Sequence, residues 1–375
     1  MQLDNVKRKS RILIFTIAET QGGHTQYSLN NFRYIDKKRI QMDFVTFSEK
    51  LSFEKEILRL GGKIYYLKNH PQNGEIEFRK EFAEVLENKY DVIHIHTSYW
   101  SGTIVEEMAK EYGIKKIIVH AHSTGIGNTK PEFSDAVLKK HYEIRSSINQ
   151  NFATDYWACS LEAAEWLFDS RIPKSRIKIM NNAVDTEKFK YNSEKRIELR
   201  QKYNFEDKLV VGFVGRLEQP KNFEFIMQLT NELVKIDQDI SFVIIGEGSK
   251  RDFIETKIRE YGIEDNVFLM GFQTNVEDWL QMMDVFILPS YFEGFPLVLV
   301  EAQVSGIKCL ISQNVSSQII ITENVEMLEL NISDWKEKIA TYKKGYSRAS
   351  HAEIVKRKGY DIREQAKKLE EEYLR

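Results

Sequence analysis

Two glutamates in the second half of the chain stand beside a predicted strand end. Glu293 lies in the loop after the apolar run 285–288, and Glu301 follows eight residues later in a helix predicted to start at Pro296. A strand end that leads into a helix N-terminus points backbone N–H groups at a ligand and favours negative charge. Carboxylates beside such a site suit a ligand that also carries hydroxyls, because carboxylates accept hydrogen bonds from sugars and riboses.

Two basic residues precede another predicted helix of the same sheet. Arg216 and Lys221 lie five residues apart in the turn between the strand 209–214 and a helix from Phe223. Two cations at this spacing can hold one diphosphate from two sides. A solvated lysine and a surface ion pair would explain either residue alone. Their position next to the loop of Glu293 favours a diphosphate site.

Apolar runs alternate with helical patterns along the whole chain, which predicts parallel sheets covered on both faces. The predicted strands are 12–17, 42–47, 64–67, 92–96, 116–121, 156–159, 177–180, 209–214, 242–245, 267–270, 285–288 and 308–311. The predicted helices are 25–35, 53–60, 78–86, 103–112, 134–153, 161–168, 223–236, 250–261, 276–283, 296–305, 332–342 and 352–375.

This pattern predicts an α/β protein of two tandem Rossmann-like, doubly wound domains that face each other across a cleft. The expected domains are residues 1–190 and 191–351, with the charged helix 352–375 packing back on the first domain. Ligands of such sheets bind outside the carboxyl ends of the strands. The Gly22-Gly23 turn follows the first strand, but two adjacent glycines are not a dinucleotide fingerprint, and a tight turn also explains them.

Composition indicates a globular protein without a membrane span. The chain has 375 residues, 42% hydrophobic and 29% charged, and its net charge of −2 gives no reason to expect nucleic acid as a partner. Residues 1–11 are polar and basic rather than of signal-peptide type, so we expect a cytoplasmic location. Cys159 and Cys309 lie far apart in apolar contexts, which fits a reducing compartment. A basic excess in residues 1–190 would suit peripheral contact with the inner face of an anionic membrane.

Four histidines occur as two pairs at predicted strand ends. His120 and His122 share a face while the strand lasts, but this rule ends where the strand gives way to a loop. One histidine is therefore expected to reach the cleft while the other packs against the sheet, and His122, nearer the loop, is preferred for the cleft. His94 and His96 are expected in the core. No acidic or cysteine ligand accompanies the pairs at useful spacing, so we expect no metal site.

Two further features after strands have open interpretations. Tyr99 and Trp100 are acceptor-side candidates that can stack on a sugar, with half-buried packing as the alternative. Asp237-Gln238-Asp239 is predicted to be a turn at the amino end of a strand, away from the cleft.

The motifs together resemble the retaining glycosyltransferases of the GT-B fold, and more narrowly the glycosyl transferases group 1 family that builds bacterial polysaccharides. The resemblance covers roughly residues 11–345. It is carried by Gly215-Arg216-Leu217 with Lys221-Asn222, Gly246-Glu247-Gly248, Glu293-Gly294-Phe295-Pro296 with Glu301-Ala302, Gly22-Gly23, His120-Ala121-His122-Ser123, Ala158-Cys159-Ser160 and Asn181-Asn182-Ala183-Val184-Asp185.

The resemblance implies a role for each site residue. Arg216 and Lys221 would hold the donor diphosphate and stabilise the leaving group, and Glu301 would accept hydrogen bonds from the ribose. Glu293, with the amides of Gly294 and Phe295, would orient the donor sugar, and a histidine, either His120 or His122, would lie near that sugar. The further donor-binding residues implied are Gly22, Gly23, Gly215, Pro296, Leu297 and Gly271.

The implied activity is metal-independent transfer, with retained configuration, from a nucleotide-diphosphate sugar, expected to be a UDP-sugar. The acceptor would be a glycan, expected to be a lipid-linked oligosaccharide of capsule or exopolysaccharide synthesis, bound by residues 1–190. No cofactor is expected. A nucleotide-sugar epimerase of the same architecture and a non-catalytic nucleotide-sugar-binding subunit are the alternatives.

Overall fold

The computed structural model describes residues 8–19, 22–125, 131–293 and 295–375, without the side chains of 131–134. The chain divides into two compact units. Unit 1 comprises the residues up to Ala183 together with Ile362–Arg375, and unit 2 is Val184–Asp361. The boundary therefore lies earlier than the expected one after residue 190, and unit 2 extends beyond residue 351.

The elements follow each other in the order that the sequence predicts, with a few additions. The strands are β1 Ser10–Ile17, β2 Ile40–Thr46, β3 Ile64–Tyr66, β4 Val92–Thr97, β5 Lys116–Ala121, β6 Asp155–Ala158, β7 Ile177–Ile179, β8 Leu209–Val214, β9 Ile240–Ile245, β10 Val267–Leu269, β11 Val285–Leu288, β12 Lys308–Ser312 and β13 Val325–Leu328. The helices are α1 Gly23–Tyr34, α2 Glu54–Arg59, α3 Glu75–Leu86, α4 Ile104–Glu111, α5 Pro131–Arg145, α6 Leu161–Leu167, α7 Ser193–Lys202, α8 Phe223–Val234, α9 Arg251–Tyr261, α10 Val276–Met282, α11 Leu297–Val304, α12 Ile332–Thr341, α13 Ala352–Arg357 and α14 Ile362–Leu374.

Each unit is built on one parallel sheet. Unit 1 has seven strands in the order β3-β2-β1-β4-β5-β6-β7, and unit 2 has six in the order β10-β9-β8-β11-β12-β13. The strand order reverses between β1 and β4 and between β8 and β11, and ligands of such sheets bind at these switch points. The predicted Rossmann-like architecture of both halves is confirmed.

The core strands are buried on both faces, because helices cover a parallel sheet on both sides. Every residue of β8, β9 and β11 is buried. The register places His96 of β4 beside His120 of β5. Two neighbouring strands thus bring their histidines to the same level of unit 1.

Two elements were missed and one was predicted wrongly. β13 has only half-buried residues, and α7 is almost entirely polar, so neither has a clear apolar pattern. α7 is held instead by Arg196 and Arg200, which form ion pairs with Asp284. The single helix expected at 352–375 is two helices, because the chain turns through Gly359 with a φ of 82°.

The last helix belongs to unit 1, whereas α13 packs on α11 in unit 2. Leu369 and Tyr373 of α14 are buried in the unit 1 core, where Tyr373 stacks on Trp157. Val184 and Asp361, at the two ends of unit 2, form a parallel bridge. α14 is therefore an integral part of the unit 1 core rather than a tail.

None of the helices that the structure describes combines the length and the apolar character needed to cross a membrane.

Replacing Leu369 of α14 by alanine is expected to destabilise unit 1 and to leave unit 2 unchanged. Leu369 is fully buried, and replacing a buried leucine by alanine costs about 2–5 kcal/mol through lost transfer energy and a residual cavity. In urea unfolding followed by hydrogen exchange, Leu369→Ala should lower the protection of β1 and β4 and leave β8 and β11 unchanged. Lys367→Ala, on the exposed side of the same helix, is the control. Equal loss of protection in both sheets would contradict the assignment of α14 to unit 1.

Candidate functional site

The loops after β8 and β9 lie against each other through their backbones at the carboxyl edge of unit 2. A Cβ on Gly246 would come within 1.9 Å of the Gly215 carbonyl oxygen, and one on Gly248 within 2.4 Å of the Leu217 oxygen. The Leu217 N–H donates to the Glu247 carbonyl at 2.8 Å. The glycines of Gly246-Glu247-Gly248 are therefore required by this close approach.

Asn222 joins the loop after β8 to the loop after β11. It has a left-handed backbone with a φ of 59°, and its side chain caps α8 by accepting from the Phe225 N–H. Its amide group also donates to the Pro289 carbonyl at 3.1 Å. The Tyr291 N–H donates to the Pro220 carbonyl at 2.8 Å, so the two loops are fixed to each other on both sides.

This connection brings Lys221 into contact with Glu293. The ammonium group lies 2.5 Å from one carboxylate oxygen, and the two side chains are only 14% and 12% exposed. The Ser290 hydroxyl donates to the same oxygen at 2.6 Å, and the Ser290 carbonyl accepts from Ser312 Oγ at 2.5 Å. The lysine and glutamate that the sequence predicts for one ligand therefore form an ion pair oriented by a buried serine.

Arg216 lies in the same loop as Lys221 but differs from the ion pair in its exposure to solvent. Its side chain is exposed, and within the described part of the chain it has no hydrogen-bond or ion-pair partner. Because the Arg216 side chain has no acidic partner among the described residues, it can bind an anion without first breaking an ion pair.

The N-terminus of α11 completes the carboxyl edge of unit 2. The helix begins at Leu297, with Pro296 at the N-cap rather than at the predicted first helical position. Phe295 stacks on Tyr360 with ring centroids 5.7 Å apart. Gly294 lies outside the described residues. At the end of β10, the Gly271 carbonyl accepts from the Gly246 N–H, which fixes the backbone there.

Glu301 lies in α11 among charged neighbours. Burial raises the pKa of its carboxyl group to about 7, Lys188 opposes this rise and Glu277 adds to it. Lys188 and Glu277 also pair with each other at 3.0 Å. The sequence analysis missed these two residues, because they come from separate elements and only the fold brings them near Glu301.

The Gly22-Gly23 turn begins α1 at the carboxyl edge of unit 1. Gly22 has an ordinary φ of −61°, and a Cβ on either glycine would meet nothing within 4 Å. Neither the backbone conformation of Gly22 nor packing against the described residues therefore requires glycine here. The open space leaves room for a ligand to approach the backbone.

The two histidines of the second pair differ in exposure. His120 is fully buried, with Nδ1 3.0 Å from His94 Nε2, so it is not accessible as an acceptor-side candidate. His122 is only partly buried, and its Nε2 lies 2.7 Å from His96 Nδ1. Of the two, His122 is the residue that can meet a ligand.

Tyr99 and Trp100 also differ in their burial. Trp100 is 2% exposed, and its indole N–H donates to the Leu167 carbonyl at 2.8 Å, so its prediction as an acceptor-stacking residue is wrong. Tyr99 is half-buried and lines a cavity of about 600 Å³ at the carboxyl ends of β1 and β4, together with Phe47 and His70. Asp237 is in a turn, as predicted, and pairs with Lys343.

Comparison with known proteins assigns both halves. Residues 195–360 match the family "Glycosyl transferases group 1", and residues 21–188 match "Glycosyltransferase Family 4". The putative glycosyltransferase EpsF of Bacillus subtilis is 28% identical over 340 residues, which cover 88% of this chain and 87% of that protein. An Escherichia coli UDP-Gal:alpha-D-GlcNAc-diphosphoundecaprenol alpha-1,3-galactosyltransferase is 25% identical over 66% of this chain and 64% of that protein.

Solved structures agree on the fold. Anabaena Alr3699/HepE in complex with UDP and glucose superposes with a TM-score of 0.78 at 17% identity, covering 97% of this chain and 99% of that one. Sucrose-phosphate synthase from Thermosynechococcus elongatus gives a TM-score of 0.75 at 15% identity and covers 98% of both chains. The two sheets thus have the GT-B fold. Both halves of the chain therefore match glycosyltransferase families, and the second half matches the group 1 family.

Ser290 lies inside the motif of Glu293 but was not singled out from the sequence. We expect Ser290→Ala to lower turnover of the donor sugar about tenfold while nucleotide affinity stays within about twofold, because it removes one hydrogen bond that orients Glu293. Turnover and calorimetric nucleotide binding would be measured on the same preparations. Ser290→Thr should restore part of the loss.

Ser241→Ala is the matched control, because Ser241 is equally buried in unit 2 and its hydroxyl has no partner. A Ser290→Ala variant with unchanged turnover would show that the lysine alone holds Glu293.

Proposed function

We propose that this chain is a retaining glycosyltransferase that moves a sugar from a UDP-sugar to a glycan acceptor. The acceptor we propose is a lipid-linked oligosaccharide of capsule or exopolysaccharide synthesis. The observation that carries the proposal is the partly buried Lys221–Glu293 pair next to Arg216, whose side chain has no partner among the described residues. This arrangement offers positive charge for a diphosphate and a carboxylate for sugar hydroxyls within one pair of loops.

Donor binding would change the partners of these side chains. The diphosphate would bind Arg216 directly and would compete with Glu293 for the Lys221 ammonium group. A phosphate that bonds to Lys221 frees a carboxylate lone pair, and Ser290 keeps Glu293 in place to accept from the sugar hydroxyls. Binding of the phosphate and orientation of the sugar would thus be one event.

The same cations would serve the chemical step. As the bond from the anomeric carbon to the phosphate oxygen breaks, negative charge grows on the departing diphosphate. Lys221 and the amides at the start of α11 belong to fixed loops, and Arg216 would be held by the bound diphosphate. These groups would then stabilise that charge with little reorganisation. Two cations can serve here without a metal ion, and we propose that transfer is metal-independent.

Retention of configuration would follow from attack on the face that the diphosphate leaves. The departing phosphate oxygen would take the proton of the acceptor hydroxyl, so no protein side chain needs to form a covalent intermediate. Glu293 is accordingly a positioning group for the donor sugar rather than a nucleophile, because its carboxylate is held by Lys221 and Ser290.

The relatives support the choice of substrates. HepE was solved with UDP-glucose, and the Escherichia coli relative acts, by its name, on a diphosphoundecaprenol acceptor. In this chain, the cavity lined by Phe47, His70 and Tyr99 is our candidate for the acceptor sugar, since aromatic rings stack on sugar faces. A diphosphate-lipid acceptor would bring the chain to the inner membrane face as a peripheral protein.

A donor screen tests the proposal directly. UDP- and GDP-sugars would be incubated with the protein, with and without lipid extracts that carry acceptors, and free nucleotide would be measured. We expect acceptor-dependent release of UDP. Lys221→Ala and Glu301→Ala should each weaken calorimetric binding of UDP at least tenfold, because each removes a charged contact.

Lys250→Ala is the control, since Lys250 also forms a partly buried ion pair in unit 2, with Glu224. Conversion of the sugar nucleotide without release of nucleotide would indicate an epimerase. Donor binding without turnover under any condition would indicate a non-catalytic subunit.

Donor affinity should depend on the protonation of Glu301. Its pKa is raised to about 7, so the carboxylate that would accept from the ribose is mostly protonated at pH 6 and mostly ionised at pH 8. We expect the affinity for a UDP-sugar to rise by up to about tenfold over this range. A UDP-sugar is used because its diphosphate does not titrate here.

Glu301→Gln should remove the pH dependence. Glu277→Gln should move the midpoint to lower pH, because it removes a neighbouring charge that opposes ionisation. A flat wild-type profile would exclude Glu301 from the donor contact.

A further inference from the structure

Histidine rings from two neighbouring strands meet inside unit 1. His94 and His96 alternate along β4 with their rings 4.1 Å apart, and His120 lies on β5 directly beside His96. One ring nitrogen of each of these three histidines lies within 4.8 Å of the others, and all three side chains are buried. Three imidazole nitrogens therefore converge on one point.

The outer partners of the rings determine which nitrogen faces that point. The Ser28 hydroxyl donates its single proton to the His24 carbonyl, so at His96 Nε2, 3.1 Å away, the serine oxygen accepts. His96 thus carries its proton on Nε2. The lone pair on its Nδ1 faces His122 Nε2 at 2.7 Å, so a metal ion would replace the His122 N–H there. The Tyr373 hydroxyl, 2.6 Å from His94 Nδ1, can fix His94 in the same way.

The hydrogen bonding of the ring nitrogens inside the cluster is incomplete. His94 Nε2 and His120 Nδ1 lie 3.0 Å apart, which is favourable only with a proton or a cation between them. His120 Nε2 and His122 Nδ1 are buried and have no hydrogen-bond partner among the residues that the structure describes.

We propose that His94, His96 and His120 form a binding site for a late first-row divalent metal ion of the Zn²⁺ class. Imidazole suits Zn²⁺, Ni²⁺ and Cu²⁺, whereas Mg²⁺ and Ca²⁺ require oxygen ligands. Zinc–nitrogen bonds of about 2.0–2.1 Å place two ligand nitrogens about 3.4 Å apart. The His94 and His120 nitrogens, now 3.0 Å apart, would separate slightly, and the His96 nitrogen, within 4.8 Å of them, would move inward by rotation of its ring. Three histidines without a carboxylate are an established ligand set for zinc.

The metal site would be separate from the donor site and structural in purpose. It would join β4 to β5, and through Tyr373 it would connect both strands to α14. A metal ion on His96 Nδ1 would take the lone pair that now faces His122 Nε2, so metal binding would release the partly buried His122 at the edge of the sheet. The spacing of possible ligands along the chain predicted no metal site. In the fold, the three histidines meet through strand pairing instead.

The test uses the full chain without a histidine tag, dialysed against a chelator. Calorimetry with ZnCl₂ should show one ion bound per chain with a Kd below about 1 μM, and MgCl₂ should show no binding. Saturating Zn²⁺ should raise the Tm by several degrees, because a ligand that binds only the folded state stabilises it. Co²⁺ should give visible absorption bands of a tetrahedral nitrogen site.

Variants assign the ligands. His94→Gln and His120→Gln should each weaken Zn²⁺ binding at least 100-fold, and Tyr373→Phe, which keeps all three ligands, should weaken it about tenfold. His70→Gln, a histidine of unit 1 outside the cluster, is the control and should bind as the wild type does. Absence of Zn²⁺ and Co²⁺ binding to the wild type, or equal binding to the folded His94→Gln variant, would overturn the proposal.

Discussion

The parallel direction of every strand pair in both sheets is the constraint on which the rest of the structure depends. Parallel strands need crossover helices, so every strand of a sheet ends at the same edge. The loops of unit 2 that carry Arg216, Lys221 and Glu293 are therefore neighbours although they are far apart in sequence. In unit 1 the same rule places Gly22, Tyr99 and His122 at one edge.

Backbone contacts fix the positions of these neighbouring loops of unit 2. Gly246 and Gly248 let the loop after β9 lie against the loop after β8, and Asn222 joins that loop to the one after β11. The charged side chains are thus carried by loops whose positions are set by hydrogen bonds and close approach rather than by the charges themselves. A preorganised set of this kind is what stabilisation of a departing diphosphate requires.

Much of the fold was readable from the sequence, because buried strands such as β8 and β11 are continuous apolar runs. The failures have physical causes. β13 is a half-buried edge strand, and α7 is polar and depends on Arg196 and Arg200 reaching Asp284. Trp100 is an aromatic residue in a loop. It is buried, and its indole N–H donates to the carbonyl of Leu167, a residue far along the chain. No local pattern records such contacts.

The sequence by itself indicated the family resemblance, the order of the elements along the chain and the residue types of the proposed donor site, because these follow from periodicity and from motifs within short segments. Tertiary structure alone decided which groups touch. It paired Lys221 with Glu293 and surrounded Glu301 with Lys188 and Glu277. It also brought His94 and His120 together, since strand register is set by packing between elements and is not written in the spacing of either pair.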